Sequence, residues 1–233
     1  MKNILYTLLL LISSSSFGQT AEEYYSSGND KSEANDQYGA IADYTKSIEL
    51  MPHPMSYNNR GLSKAELNDQ YGAIADYTKA IELDPNYVSA YYNRGISKDD
   101  LNDQYGAIAD YTKAIELDPN YVSAYYNRGI SKDDLNDQYG AIADYTKAIE
   151  LDPNYVSAYN NRSFSKGQLK DYYGSISDSL RTLELDPNYA LAYVNIGIAK
   201  EELGDLNGAC AAWKKAAELG DKGAAEWVAN QCN

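Results

Sequence analysis

The sequence predicts an all-α fold, a solenoid of about six repeated helix-turn-helix units, and three observations lead to that prediction. Residues 86–119 recur without a single change at residues 120–153. Aligned on one small residue, successive copies follow at steps of 33 or 34 residues, at Gly28, Gly61, Gly95, Gly129, Ser163 and Gly197. Within each copy, apolar and small residues return at helical spacing on both sides of a short polar turn. A fixed period of this length is the signature of a helical solenoid.

The first 18 residues differ from the repeats and are predicted to be a bacterial secretory signal peptide. Lys2 precedes an apolar run that ends near Ile12, and serines and Phe17-Gly18 follow it. The apolar run is too short to span a bilayer, although an uncleaved membrane anchor is the alternative interpretation. We therefore expect cleavage after Gly18, export to the periplasm or outside the cell, and no stable membrane insertion.

One unit shows how each helix pair begins and ends. Residues 88–101 and 105–117 both have helical periodicity, and Asn102-Asp103 separates them. Asn and Asp favour caps and turns, so they can end one helix and accept from the free N–H groups of the next. Pro119 disfavours helix at the residue before it, which predicts a second boundary near Asp118.

The signature positions of the unit carry a family resemblance. The first helix has an aromatic residue and a glycine, the second has a small-aromatic-small set, and a proline closes the unit; these are Tyr91, Gly95, Ala107, Tyr111, Ala114 and Pro119. In these positions the unit resembles the tetratricopeptide repeat. The resemblance covers nearly the whole chain after the signal peptide. It implies a right-handed superhelix of antiparallel helix pairs whose first helices line a concave groove.

The repeats and their ends follow from this register. We predict repeats at about residues 21–53, 54–87, 88–121, 122–155, 156–189 and 190–221, and a capping helix at residues 222–231. The first repeat is polar in its first helix, as expected of a terminal repeat. Repeat five carries Ser175, Ser179 and Thr182 where the copies have Ala, Tyr and Ala. Since losing a core aromatic residue is costly, we predict that repeat five is the weakest part of the array and a hinge.

Composition limits the partners. The net charge is −14, which disfavours nucleic acid as a ligand. It favours basic partners, although an acidic surface that only keeps the protein soluble is the interpretation we prefer. Tyrosine is over-used, at 24 residues against two Phe and two Trp. Most of these tyrosines are expected at repeated core positions, so packing explains them before binding does.

An Arg and an Asp recur with the repeats. The Arg precedes the aligned small residue at Arg60, Arg94, Arg128 and Arg162, and the Asp recurs at Asp43, Asp76, Asp110, Asp144 and Asp178. Both charges are lost together in repeat six, which favours an ion pair inside each repeat, such as Arg94 with Asp110. The first repeat has Ser27 at the Arg position, which favours pairing between neighbours, such as Asp76 with Arg94. A part-buried charge needs a partner in either case.

The family resemblance also implies the residues that line the groove. Its positions hold Tyr92, Asn93, Ile96, Asp99 and Asp100 in repeat three, Tyr126, Asn127, Ile130, Asp133 and Asp134 in repeat four, and Asn161, Phe164 and Asn195 further on. The recurring amide offers a donor and an acceptor, which suits an extended peptide backbone. Phe164 is interpreted either as an aromatic anchor for a partner or as ordinary packing.

The cysteines and the histidine give little support for chemistry. Cys210 and Cys232 lie on two predicted antiparallel helices at similar distances from the turn between them, so an exported chain is expected to join them in a disulfide. A metal site would lack ligands, because His53 is the single histidine and is interpreted as a loop residue. No catalytic residues, metal or cofactor are predicted.

Three hypotheses for function remain. The first is a non-catalytic protein-protein interaction scaffold whose concave groove binds a peptide or protein segment, possibly basic. The second is an exported protein that binds carbohydrate or a cell-wall ligand through its Tyr and Asn rows. The third is a structural protein that self-associates through near-identical repeats. Repeat architecture supplies a surface, and function depends on what that surface meets.

Overall fold

The computed structural model describes residues 19–232, so the predicted signal peptide lies outside the described residues. This part of the chain contains thirteen α-helices. In order they are α1 Ala21–Glu33, α2 Gln37–Leu50, α3 Pro54–Glu66, α4 Gln70–Leu83, α5 Val88–Asp100, α6 Gln104–Leu117, α7 Val122–Asp134, α8 Gln138–Leu151, α9 Val156–Gln168, α10 Tyr172–Leu185, α11 Ala190–Glu202, α12 Leu206–Glu218 and α13 Lys222–Gln231. None of these helices has the length and apolar character needed to cross a membrane.

The turn inside each repeat has the chemistry that the sequence indicated. Asn102 adopts a φ of 60°, the left-handed conformation that Asn tolerates better than most residues. The Asp103 carboxylate caps α6 by accepting from the N–H of Gly106 at 3.0 Å. Helix α6 ends at Leu117, directly before the boundary that the following Pro119 predicts. The same cap recurs at the start of the second helix of each other repeat, at Asp36, Asp69, Asp137, Asp171 and Asp205.

The packing of the helices defines the groove. Each helix packs against the next one in the chain, from α1 through α13. The first helices of neighbouring repeats also contact each other, in the series α1, α3, α5, α7, α9 and α11. Because the first helices approach each other in this way, their row forms the inner wall of the solenoid, and the second helices form its outer wall.

A glycine and an aromatic ring form the centre of most repeats. Tyr111 and Tyr145 are fully buried. A Cβ added to Gly95 would lie only 2.6 Å from Cε1 of Tyr111, so the ring needs the glycine. Tyr44, Tyr77 and Trp213 stand in the same way against Gly28, Gly61 and Gly197. The glycine on which the repeats are aligned is therefore required because a larger side chain would collide with the aromatic ring that covers it.

Repeat five replaces both members of this pair. Ser163 stands at the glycine position and Ser179 at the tyrosine position, and their hydroxyls are hydrogen-bonded at 2.7 Å. Ser163 also donates to the carbonyl of Ser175, and all three serines are buried. The lost ring is therefore partly compensated by a second side chain and a hydroxyl cluster. The hinge stays a prediction, which faster amide hydrogen exchange in α10 than in α6 and α8 would support.

The tyrosines fall into three groups: of the 23 in residues 19–232, fourteen are half-buried, so packing accounts for most of them although few are fully buried. Within the described residues, four tyrosines are fully buried, Tyr44, Tyr77, Tyr111 and Tyr145. Five others, at the start of the second helices, each have 77% of their surface exposed: Tyr38, Tyr71, Tyr105, Tyr139 and Tyr173. The repeat pattern identifies recurring positions but does not tell an inner position from an outer one at a helix end.

A disulfide and a tryptophan pair join the last helices. Cys210 of α12 is bonded to Cys232, directly after α13, with 5.5 Å between their Cα atoms. The rings of Trp213 and Trp227 are 5.3 Å apart. Together they attach α13 to the end of the array.

Candidate functional site: the concave groove

An ion cluster inside each of repeats two to five anchors the groove wall. In repeat three, Nε and Nη2 of Arg94 donate to the two oxygens of Asp110 at 2.9 and 2.7 Å. Nζ of Lys98 lies 2.7 Å from the same carboxylate. The remaining guanidinium nitrogen, Nη1, donates to Oγ1 of Thr78 in the preceding repeat at 3.0 Å. Pairing inside the repeat is therefore confirmed, and the alternative of Arg94 with Asp76 is wrong.

In repeat one, the buried Asp carboxylate is paired without an arginine. Asp43 accepts from the Ser27 hydroxyl at 2.6 Å and from Lys31 Nζ at 2.6 Å. The serine that suggested pairing between neighbours is thus itself the partner. Sequence reasoning missed the lysine, although its spacing of four residues from the arginine, as in Arg94 and Lys98, places both on one helix face.

The ion pairs leave the groove wall with unbalanced acids. Every cation of the first helices lies in an ion pair: Lys31, Arg60, Lys64, Arg94, Lys98, Arg128, Lys132, Arg162, Lys166 and Lys200. The last turns of all these helices except α9 carry exposed acids instead: Glu33, Glu66, Asp100, Asp134, Glu201 and Glu202. A negative charge is unfavourable at a helix C-terminus, so these acids do not serve the local stability of their helices. Their field is available to a positively charged ligand.

The predicted Tyr and Asn residues of the groove lie at the joins between first helices. Nδ2 of Asn127 donates to the Tyr92 hydroxyl of the preceding repeat at 3.0 Å. The same link recurs from Asn93 to Asn58, from Asn161 to Tyr126 and from Asn195 to Asn160. The Tyr92 ring also packs on Tyr121 at 4.8 Å. One N–H of each amide is therefore already used inside the protein, and these residues hold neighbouring repeats together whether or not they also bind a ligand.

Asp99 is an internal link as well. Its carboxylate accepts from the Tyr111 hydroxyl at 2.8 Å and from the Ser131 hydroxyl of the next repeat at 2.9 Å. Asp133 repeats the arrangement with Tyr145 and Ser165. Burial raises the pKa of both carboxyl groups above the ordinary value, although the donated hydrogen bonds oppose this shift. Their carboxylates are thus less available to a ligand than the sequence suggested.

The remaining predicted groove residues are more accessible. Asp100 and Asp134 are exposed, and Asp100 accepts from Gln70 Nε2 at 2.9 Å. Ile96 and Ile130 are half-buried. Phe164 has half of its surface exposed, which the packing interpretation of this side chain does not explain.

Phe164 lines a cavity between α9 and α11. The cavity has a volume of about 410 Å³, and its walls include Gly167, Asn195, Ile198 and Glu202. Of these, sequence reasoning identified Phe164 and Asn195 and missed the others. The sequence does contain a signal for this cavity, because Gly167 replaces the Asp found at the same position in repeats three and four.

His53 has a structural role at the far end of the array. It lies at the N-cap of α3, where its Nδ1 accepts from the N–H of Met55 at 3.3 Å. This agrees with its interpretation as a loop residue.

Comparisons with known proteins agree on one fold. A family model described as TPR repeat matches residues 61–97 and 100–131, and a second, described as tetratricopeptide repeat, matches residues 122–155. The crystal structure of MamA protein is similar to the chain at 28% identity and a TM-score of 0.68, covering 76% of this chain and 94% of MamA. No curated protein matches the chain.

Two further solved structures are similar in fold. YrrB, described as a TPR protein with an unusual peptide-binding site, has 23% identity and a TM-score of 0.72, and the match covers 80% of this chain and 97% of YrrB. PilF of Pseudomonas aeruginosa has 15% identity and a TM-score of 0.75, with 90% of this chain and 97% of PilF covered. These likenesses extend the agreement in fold beyond the residues that the family models match.

Proposed function

The chain belongs to the tetratricopeptide-repeat family, and from this premise we propose that it is an exported, non-catalytic scaffold whose concave groove binds a basic peptide or protein segment. The observation that carries the proposal is the charge distribution of the first helices. Their cations are all held in ion pairs, whereas Asp100, Asp134 and the equivalent acids are exposed at the helix ends. The peptide-binding site named for YrrB is a precedent for the use of such a fold.

The groove favours an extended segment for a geometric reason. The first helices contact one another in a regular series, so the exposed acids recur along the wall in every repeat except repeat five. A chain with several lysines or arginines can satisfy many of these charges at once. Each exposed contact is weak, so binding strength comes from their number and falls with ionic strength.

The test is fluorescence anisotropy with short labelled peptides of equal length that are lysine-rich, serine-only or glutamate-rich. We expect only the lysine-rich peptide to bind, with affinity that falls steeply as salt is added. Substituting Asp100→Asn together with Asp134→Asn is expected to weaken binding about fivefold. The matched control is Glu116→Gln with Glu150→Gln, which removes the same charge from the outer helices of the same repeats. Equal loss in both variants, or binding of the serine-only peptide, contradicts the proposal.

The groove variants avoid the joins between repeats. Changing Tyr92 or Asn127 would break a hydrogen bond that links two first helices, so a loss of binding there would not distinguish contact from folding. Asp134 is exposed at a helix end, and its substitution leaves the ion clusters and the Tyr-Gly contacts intact.

A carbohydrate ligand is the second candidate, and the exposed tyrosine row favours it. Tyr105 and Tyr139 are presented on the outer helices of identical repeats, and the faces of aromatic rings can receive sugars. Retention on insoluble cell-wall glycan that is independent of salt and lost on Tyr105→Ala with Tyr139→Ala would support it. Mass that increases with protein concentration would instead support self-association.

Export is part of the proposal. The apolar N-terminal run and the Cys210–Cys232 disulfide both favour an oxidising compartment, the periplasm or the cell exterior. N-terminal sequencing of the protein from a bacterial envelope fraction is expected to begin at Gln19. Recovery of the intact N-terminus would contradict cleavage.

A further inference from the structure

Repeats three and four each contain a polar bridge that crosses three helices. In repeat four, the Tyr145 hydroxyl of α8 donates to Asp133 of α7 at 2.9 Å. The Ser165 hydroxyl of α9 donates to the same carboxylate at 2.7 Å. Tyr111, Asp99 and Ser131 form the same bridge one repeat earlier. The bridge fills the space between neighbouring first helices and closes the groove wall there.

Repeat five lacks all three members of the bridge. The equivalent positions hold Ser179, Gly167 and Ala199. The Ser179 hydroxyl turns toward Ser163, and the space between Gly167 and Ala199 is part of the 410 Å³ cavity. Three changes on three different helices therefore open the wall here. A second cavity of about 320 Å³ lies at the equivalent position between α1 and α3, but Asn29 and Glu33 give it more polar walls.

The packing of repeat five does not require the open space. A Cβ added to Gly167 would meet only Ser175 Oγ, at the ordinary contact distance of 3.6 Å. A glycine within a helix is destabilising relative to alanine. Gly167 thus differs from Gly95 and Gly129, which are held by a tyrosine ring, and its lack of a side chain benefits the cavity and not the fold.

The cavity is also the point where the groove is least acidic. Gly167 and Gln168 replace the two Asp residues that end the first helix in repeats three and four. Phe164 and Ile198 present apolar surface, with 50% and 39% exposed. The Glu202 carboxylate at the rim accepts from the Tyr172 hydroxyl at 2.9 Å, and Lys170 lies at the same rim. A neutral side chain with a large apolar face suits these walls better than a charged one.

We propose that this cavity is a specificity pocket for one aromatic side chain of the bound segment. The proposal rests on the proposed function, because the basic residues of the same segment lie over the acidic ends of α5 and α7. The aromatic ring packs against Phe164 and Ile198, and the amide of Asn195 and the hydroxyl of Tyr172 line the polar side. The preferred ligand is thus a basic segment with one aromatic residue beyond its basic stretch.

The experiment compares two labelled peptides that share a lysine-rich stretch and differ in one residue, phenylalanine or alanine, placed at several distances from the lysines. With the unaltered protein, we expect the phenylalanine peptide to bind at least about tenfold more tightly at one spacing. Gly167→Leu, which fills the cavity, is expected to remove that difference while lysine-dependent binding persists. Gly167→Ala is the matched control and is expected to keep it.

A second pair of variants tests the wall. Phe164→Ala is expected to reduce the preference for phenylalanine, whereas Leu180→Ala, which removes an equally exposed apolar side chain from the outer helix of the same repeat, is not. Equal binding of both peptides at every spacing overturns the pocket and leaves the basic-segment proposal standing. Failure of both peptides to bind overturns the two proposals together. Circular dichroism and thermal unfolding establish that each variant is folded.

Discussion

Substitutions at Gly129 and Tyr145 are expected to have strongly non-additive effects on the free energy of unfolding, because the Tyr145 ring covers Gly129. Repeat five has serine at both of these positions. A Cβ at position 129 would lie 2.6 Å from Cε1 and 2.9 Å from Cδ1 of the Tyr145 ring. The single substitution Gly129→Ser must therefore displace a buried ring, at a cost of about 1–3 kcal/mol. The single substitution Tyr145→Ser removes a fully buried aromatic side chain, at a cost of about 3–5 kcal/mol.

The double variant should cost less than the sum of these two. Once the ring is gone, the side chain introduced at position 129 no longer overpacks and occupies part of the vacated space. The two hydroxyls can then bond as Ser163 and Ser179 do at 2.7 Å, a contribution of about 1 kcal/mol. We expect a coupling free energy of about 2–3 kcal/mol between the sites.

Urea unfolding followed by circular dichroism measures the free energy of unfolding of the wild type, the two single variants and the double variant. Equal m-values would show that the same surface is exposed on unfolding in all four proteins. Gly167→Ala is a control for glycine replacement as such, because no ring covers Gly167. It should stabilise the protein by less than about 1 kcal/mol, since Gly167 is the second-to-last residue of α9. Costs that add within about 0.5 kcal/mol would refute the reasoning, since independent sites behave in that way.

Three further predictions follow from the ion clusters, the buried acids and the disulfide. Arg94→Leu leaves Asp110 with its lysine partner alone, so its cost in urea unfolding should be less than the roughly 3–5 kcal/mol typical of a broken buried pair, and Arg94→Lys should cost still less. Because burial raises the pKa of Asp133, wild-type stability should fall as pH rises from the ordinary value of 3.8 through the raised pKa; Asp133→Asn should reduce that fall in a pH series of unfolding midpoints. Opening the Cys210–Cys232 loop with Cys232→Ser should cost about 3 kcal/mol, seen as faster amide exchange in α13 than in α6.

The repeat units were predictable because their signals are local and occur many times. Asn102-Asp103 and Pro119 mark helix ends through backbone chemistry that acts within a few residues. The Arg-Asp pair was also visible, but two partners remained open, because sequence spacing does not say which neighbouring helix faces the guanidinium. The structure decides it by placing Arg94 opposite Asp110 across one helix pair.

The chemistry of the groove was harder to predict, because it depends on side chains from different repeats. Asp99 was expected to face a ligand, yet its carboxylate is bonded to Ser131, 32 residues further along the chain. The cavity depends on three positions that no local pattern connects. An alignment of the repeats shows that the Asp, Tyr and Ser of the bridge are replaced together at residues 167, 179 and 199. Of these three replacements, the sequence prediction for repeat five relied only on the loss of the tyrosine at 179.

Near-identical repeats create a problem of register that the cavity can solve. Residues 86–119 and 120–153 are identical, so a purely basic segment meets the same acids in either repeat and can shift by one unit at little cost in free energy. The availability of two equivalent registers instead of one favours binding by only about 0.4 kcal/mol, the value of RT ln 2. A single pocket that accepts one side chain about tenfold better outweighs this degeneracy and fixes the segment in one position. The identical repeats then supply affinity, and the repeat that departs from them supplies the register.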